Sequence, residues 1–311
     1  MPTYCDRMNQ SLLWMDYRYV LPTLAKLPAS IAVPASYGRG LLQAAADYDW
    51  RSIGLGKKYI RANVYQAMKA LTGSRSKSLM AVLGRFMHNS RTEYQDHLYR
   101  HERKIETIFR SSIAADGIDA FLNAQQAGRG TVMLTCHFDS FIMGMVLLGK
   151  YGLKTNVLTS AVVEDSRVHP DVRTFFYQKY RCMETYTGGK MEHCENGLDF
   201  YHQALVRGEV VVITPDVQGT KSNVEIPFLG RSFRLPVGAW HMAKKSNGRI
   251  GAYMCRYVSP NVYRMAFLPP AEIDPESPVQ TLRPIYAFFE EWIRKMPERW
   301  LAAEHWVHYG R

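Results

Sequence analysis

From residue 131 onward, short apolar runs alternate with longer amphipathic stretches. The runs 131–135, 155–159, 209–214, 250–257 and 262–268 are rich in apolar and β-branched residues and lie between Gly, Pro or Asn positions. Such runs predict strands, several of them buried on both faces. The stretches 118–127, 141–149, 172–180, 197–207, 237–246 and 280–295 predict helices, with Gly208 closing one and Pro236 leading another. Strands alternating with helices predict an α/β fold: a mainly parallel mixed sheet flanked by helices. Upstream, residues 1–110 keep helical spacing, clearest over 59–68, 78–88 and 92–112. The last stretch is laced with charge, including Glu93, Asp96, Arg100, Glu102, Arg103, Lys104 and Glu106, and reads as a solvated face. The predicted organisation is a helical N-terminal region, residues 1–112, packed on an α/β core, residues 113–311.

Composition narrows the partners. The 311 residues are 47% hydrophobic and 22% charged, which describes a core-forming chain and excludes a disordered one. A net charge of +11 favours anionic partners such as an acidic carrier protein or an anionic lipid or membrane surface. Zinc-finger spacing, RNP-type aromatics and basic heptads are missing from the sequence, so no nucleic-acid partner is expected. The five cysteines lack a CxxC pair and fit a reducing compartment, with Cys136 expected as a buried thiol. His169, His193, His202 and His241 have no metal-ligand spacing, and no metal is expected. The sequence carries no pattern of a secretory leader. The apolar stretch 19–46 is interrupted by Pro22, Lys26, Pro28, Pro34 and Arg39, so it predicts no membrane span but is compatible with lying on a membrane surface.

Candidate chemistry falls in three blocks. In the first, Thr135-Cys136-His137-Phe138-Asp139-Ser140-Phe141 joins a predicted strand to a predicted helix, placing His137 and Asp139 on one turn. A two-residue offset on a turn brings Asp139 to His137, or leaves it capping the helix that begins near Phe141. Glu164 and Asp165 are alternative acids from the next loop, and Arg167 and Arg173 lie nearby. In the second block, Asp216 and Gln218 follow the buried run 209–214, at a strand end where open α/β sheets bind ligands. The third block is 224–231 with 235–245, where Arg231 and Arg234 flank Ser232-Phe233; their guanidinium groups suit phosphate, or are exposed hairpin charge. Gly188-Gly189-Lys190 has the make-up of a loose anion-binding turn.

In order and spacing these blocks resemble the lysophospholipid acyltransferase superfamily, and most closely its bacterial lipid A late-acyltransferase branch. The likeness is carried by the His motif after a strand, Asp216-Val217-Gln218 after a buried strand and Val224-Glu225-Ile226-Pro227-Phe228-Leu229-Gly230. It is completed by Leu235-Pro236-Val237-Gly238 and Pro297-Glu298-Arg299-Trp300. It runs from about residue 59 to the C-terminus. The resemblance implies acyl transfer from a thioester on an acyl carrier protein or coenzyme A to a hydroxyl or amine of a lipid or glycolipid. His137 would be general base, Asp139 its carboxylate, and Asp216, Gln218, Arg231 and Arg234 would bind substrate. It implies no cofactor beyond the acyl thioester as co-substrate, and a peripheral location at the cytoplasmic face of the membrane. The family's acid stands five residues after the His; here that position is Ile142, which marks a diverged active site. Transfer of an aminoacyl or other short acyl group from a dedicated carrier, and a non-catalytic lipid- or partner-binding role, are the two rival expectations.

Overall fold

The computed structural model describes residues 4–51, 60–126, 128–217 and 222–308. Gln218 and the start of the expected 59–68 helix lie outside them. Nine strands are formed among the described residues: β1 (Ile113–Asp116), β2 (Thr131–Leu134), β3 (Thr155–Thr159), β4 (Gly188–His193), β5 (Val210–Ile213), β6 (Asn223–Phe228), β7 (Arg231–Pro236), β8 (Arg249–Ser259) and β9 (Val262–Ala271). Seven of them make one sheet in the order β1-β9-β8-β2-β5-β3-β4, and β6 and β7 form a separate hairpin. Every pairing in the large sheet is parallel except β8 with β9, so the expected mainly parallel mixed sheet is the one observed.

The central strands explain the layering. All residues of β2 and β5 are buried, as continuous apolar runs on a doubly covered sheet require. Because side chains alternate across a strand, Val132, Leu134, Val211 and Ile213 feed one hydrophobic core, while Met133, Val210 and Val212 feed a second on the opposite face. The helix Phe141–Lys150 packs in the second core, and helices Gly238–Lys245 and Pro278–Lys295 in the first. Register pairing sets Leu134 beside Ile213 at the C-terminal ends of β2 and β5. The segments that leave these two strand ends therefore start side by side.

The N-terminal region is helical through Ser111 among its described residues. Two expectations for it are corrected. The stretches 78–88 and 92–112 do not form separate helices: one helix runs Arg75–Leu98, and a second, Glu102–Ser111, follows a break at residues 99–101. The charge-laced stretch is also not uniformly solvated. Glu93 and Asp96 are buried, because Arg39 bonds Glu93 at 2.6 Å and Lys179 bonds Asp96 at 2.8 Å. Buried charge is tolerated where a partner is in reach, and here each carboxylate meets a cation from another helix. Four strands lie outside the expected runs. β1 and β4 are edge strands, β1 only four residues long and β4 without an apolar run, and the β6–β7 hairpin carries its charge on an exposed face.

Helix Ala29–Ala46 lies against helix Arg75–Leu98 with Gly40 at the crossing. A Cβ at Gly40 would stand 2.6 Å from the Met87 Cα and the Phe86 carbonyl oxygen, closer than atoms can sit without backbone movement. Gly40→Ala should therefore lower unfolding free energy by about 1–3 kcal/mol, read from urea titration. An unchanged midpoint and slope would show that the helices do not cross this closely.

Candidate active site

β2 and β5 are parallel neighbours in register, and each is followed by a short polar segment. His137 lies three residues beyond Leu134, and Asp216 lies three residues beyond its register partner Ile213. Equal offsets from paired strand ends set the two side chains against each other. His137 Nδ1 is 2.8 Å from Asp216 Oδ1, and the His137 backbone N–H donates to Asp216 Oδ2 at 2.9 Å. The Trp300 indole N–H donates to the same Oδ2 at 3.0 Å. The Asp216 side chain is fully buried, whereas 31% of the His137 side chain is exposed.

Burial works against ionisation of Asp216. The interaction with His137 and the hydrogen bonds from His137 and Trp300 outweigh it and hold the carboxyl below its ordinary range. An ionised carboxylate only accepts hydrogen bonds, so the proton between the two groups belongs to His137 Nδ1. The other nitrogen, Nε2, then carries the lone pair that can take a proton from a substrate.

Asp139 was expected as the carboxylate partner of His137, and this is corrected. Asp139 is fully buried and forms ion pairs with Arg91 and Arg299. It also accepts from the Ser140 hydroxyl at 2.8 Å and the Tyr257 backbone N–H at 3.2 Å. Its backbone is left-handed, with φ at 45°, which turns its side chain into this cluster. The alternative of a helix cap fails as well. Ser140 holds the cap position of Phe141–Lys150, and no side chain caps that end. Burial pushes the Asp139 carboxyl upward, but Arg91 and Arg299 prevail and hold it below its ordinary range.

The C-terminal block locks the same turn. Phe138 and Trp300 form an antiparallel bridge, the Asp139 N–H donates to the Arg299 carbonyl at 2.8 Å, and the Leu301 N–H donates to the His137 carbonyl at 2.7 Å. Arg299 thus reaches Asp139 while its neighbour Trp300 reaches Asp216. Sequence reasoning missed Arg91, Arg299 and Trp300 as site-building residues. Arg299 and Trp300 stood inside the C-terminal block already singled out; nothing in the helical pattern distinguished Arg91 from other basic residues.

The remaining candidates lie elsewhere. Glu164 accepts from the Tyr177 hydroxyl and Asp165 pairs with Arg167, both at the surface. Arg173 donates to the Val163 and Asp165 carbonyls. Arg231 and Arg234 are exposed on β7, with the Arg231 guanidinium over the Trp306 ring; neither lines the cavity at His137. Gly188-Gly189-Lys190 opens β4 and is paired into the sheet. Among the described residues, no cluster of His, Cys, Asp or Glu could hold a metal ion.

His137 opens onto a cavity of about 620 Å³, within the range of small-molecule sites. Its apolar wall includes Phe141, Ile142, Met145, Val157, Val163 and Phe175, and its polar wall includes Arg51, Asp96 and Lys179. Ile142 therefore lines the space beside His137 rather than serving as its acid. The site can orient an imidazole, stabilise its protonated form and seat an apolar group next to it.

The Asp139 cluster generates a stability prediction. Asp139→Asn leaves the buried Arg91 and the half-buried Arg299 short of charge and should cost about 3–5 kcal/mol of unfolding free energy. Because the Asp139 carboxyl is depressed in the folded state, its contribution is complete above the unfolded value of about 3.9. It is lost as pH falls through the lower folded value. The variant should therefore show a shallower loss of stability below about pH 4 than the wild type. Parallel pH profiles in chemical denaturation would contradict the assignment.

Comparison with individual curated proteins gave no significant match. A family model gives a clear result: residues 87–308 match that of the bacterial lipid A biosynthesis acyltransferases, a span that holds both strands of the site, the Asp139 cluster and the C-terminal block. The chain belongs to the bacterial lipid A biosynthesis acyltransferase family.

Proposed function

We propose that the protein moves an acyl group from a thioester donor to a hydroxyl or amine of a lipid or glycolipid acceptor, with His137 as general base and Asp216 as its carboxylate. The observation that carries this reading is the 2.8 Å contact between His137 Nδ1 and the buried Asp216, on the wall of a largely apolar cavity. His137 Nε2 takes the acceptor's proton as its oxygen or nitrogen attacks the thioester carbonyl. The new C–O or C–N bond forms, the C–S bond breaks, and the proton passes from the imidazolium to the leaving thiolate. Asp216 keeps Nδ1 protonated and offsets the positive charge that the ring gains. The active site is diverged in that the acid comes from the end of β5, while Ile142 joins the acyl-facing wall. No cofactor is needed beyond the acyl thioester.

The donor is carried by an acyl carrier protein or coenzyme A, both anionic, and the +11 net charge favours either. The protein acts peripherally at the inner face of the membrane. Among the described residues no helix is long and apolar enough to cross a bilayer, which is consistent with peripheral contact. A second reading, transfer of an aminoacyl or other short acyl group from a dedicated carrier, is favoured by one feature. The buried Lys179–Asp96 pair forms part of the cavity wall, where a long plain hydrocarbon would meet charge. Competing saturated long-chain and aminoacyl thioesters for the purified protein separates the two readings.

His137→Ala should abolish transfer. Asp216→Asn should lower kcat by roughly 10²–10⁴-fold with a smaller change in KM, since it removes the group that fixes the tautomer. Both effects are read from transfer of a labelled acyl group and from hydrolysis of the donor thioester. Full activity in His137→Ala would sink the mechanism, and donor turnover no faster than the protein-free rate in wild type would point to a non-catalytic binding role.

A further inference from the structure

Helix Ala29–Ala46 is built inside out. Its one charged residue, Arg39, faces the protein, where it pairs with Asp16 and Glu93 and donates to the Ser90 hydroxyl at 2.8 Å. Ser36 and Gln43 are buried on the same side. The helix's exposed residues are Ser30 in the first turn and then Ile31, Pro34, Ala35, Gly38, Leu41, Leu42, Ala45 and Ala46, so beyond Ser30 none has a polar side chain; Leu42 is 73% exposed. A surface helix on a protein surrounded by water shows the reverse polarity. Eighteen residues give this strip a length of about 27 Å.

The strip continues onto its neighbour. Arg39 meets Ser90 and Glu93 while Gly40 meets Met87, so helices Ala29–Ala46 and Arg75–Leu98 run antiparallel. The first turns of Arg75–Leu98 therefore flank the last turns of Ala29–Ala46, and there Leu79, Met80 and Leu83 are exposed. Most of the large apolar side chains exposed among the described residues fall between Leu12 and Leu83. Basic residues border this end. Arg61 donates to the Ala44 and Ala45 carbonyls at 2.9 and 3.0 Å, and Arg75 and Lys77 are exposed one turn from Leu79 and Met80.

We infer that this face is the membrane-docking surface: helix Ala29–Ala46 lies in the plane of an anionic bilayer with Ile31, Leu41 and Leu42 below the headgroups. Arg61, Arg75 and Lys77 sit at headgroup level. The inference rests on the reading that the acceptor is a lipid. An apolar strip rimmed by cations matches a lipid surface in both hydrophobicity and charge. A second copy of this chain would match the strip but would bring another basic rim to the same interface.

The test is sedimentation of the full-length protein with vesicles. Wild type should bind mixed phosphatidylethanolamine–phosphatidylglycerol vesicles, and bind phosphatidylcholine vesicles less, with the difference shrinking as salt rises. The double variant Ile31→Glu, Leu42→Glu should lose at least about tenfold in binding while keeping its melting temperature and its transfer rate to a detergent-solubilised acceptor. Arg75→Glu with Lys77→Glu should weaken binding to the anionic vesicles only. Wild-type failure to bind, or unchanged binding by the double variant, overturns the assignment. So does a wild-type dimer in light scattering that the double variant splits without losing vesicle binding. His137→Ala should bind vesicles like wild type, so an absence of acyl transfer with vesicle binding intact counts against the activity alone.

Discussion

Asp216 is the carboxylate on which the site's geometry turns. It follows β5, and it accepts hydrogen bonds from the backbone and ring of His137 after β2 and from the indole of Trp300 near the C-terminus. Three chain segments remote in sequence are thereby tied at one buried charge. Leaving that charge unmatched in an apolar interior would be expensive, so each donor is under pressure to stay in place. The same constraint fixes the imidazole: with Asp216 ionised, only the tautomer protonated at Nδ1 satisfies the contact.

A second buried carboxylate supports the first. Asp139 fixes the far side of the His137 turn through Arg91 and Arg299, and the Phe138–Trp300 bridge joins the two arrangements through the backbone. Arg91 comes from the long N-terminal helix and Arg299 from the C-terminal block, so the helical region is part of the scaffold that positions the imidazole. The two acids divide the labour that one was expected to do: Asp216 serves the ring and Asp139 holds the turn.

The sheet was largely legible in the sequence because its central strands are continuous apolar runs; β3 was expected over 155–159 and is observed there, and β2 and β5 differ from expectation by a residue at their ends. The pairing of His137 with Asp216 was not legible. Both residues were recognised as strand-end candidates, but neighbouring them requires the strand order, and periodicity says nothing about which parallel strands are adjacent. Proximity in sequence favoured Asp139, and the left-handed backbone at that residue turned it away. The charges of the 92–112 stretch were misread for a related reason: helical spacing places Glu93 and Asp96 on a helix, yet only tertiary packing supplies Arg39 and Lys179 to bury them.

The central claim is that Asp216 holds His137 with its proton on Nδ1. The most direct measurement is the tautomer itself, from nitrogen-15 NMR of the histidine ring in the wild-type protein and in Asp216→Asn at a pH where the ring is neutral. A protonated Nδ1 and an unprotonated Nε2 in the wild type, with that pattern lost in the variant, is the predicted result. A wild-type ring protonated at Nε2, or a pattern that Asp216→Asn leaves untouched, would contradict it.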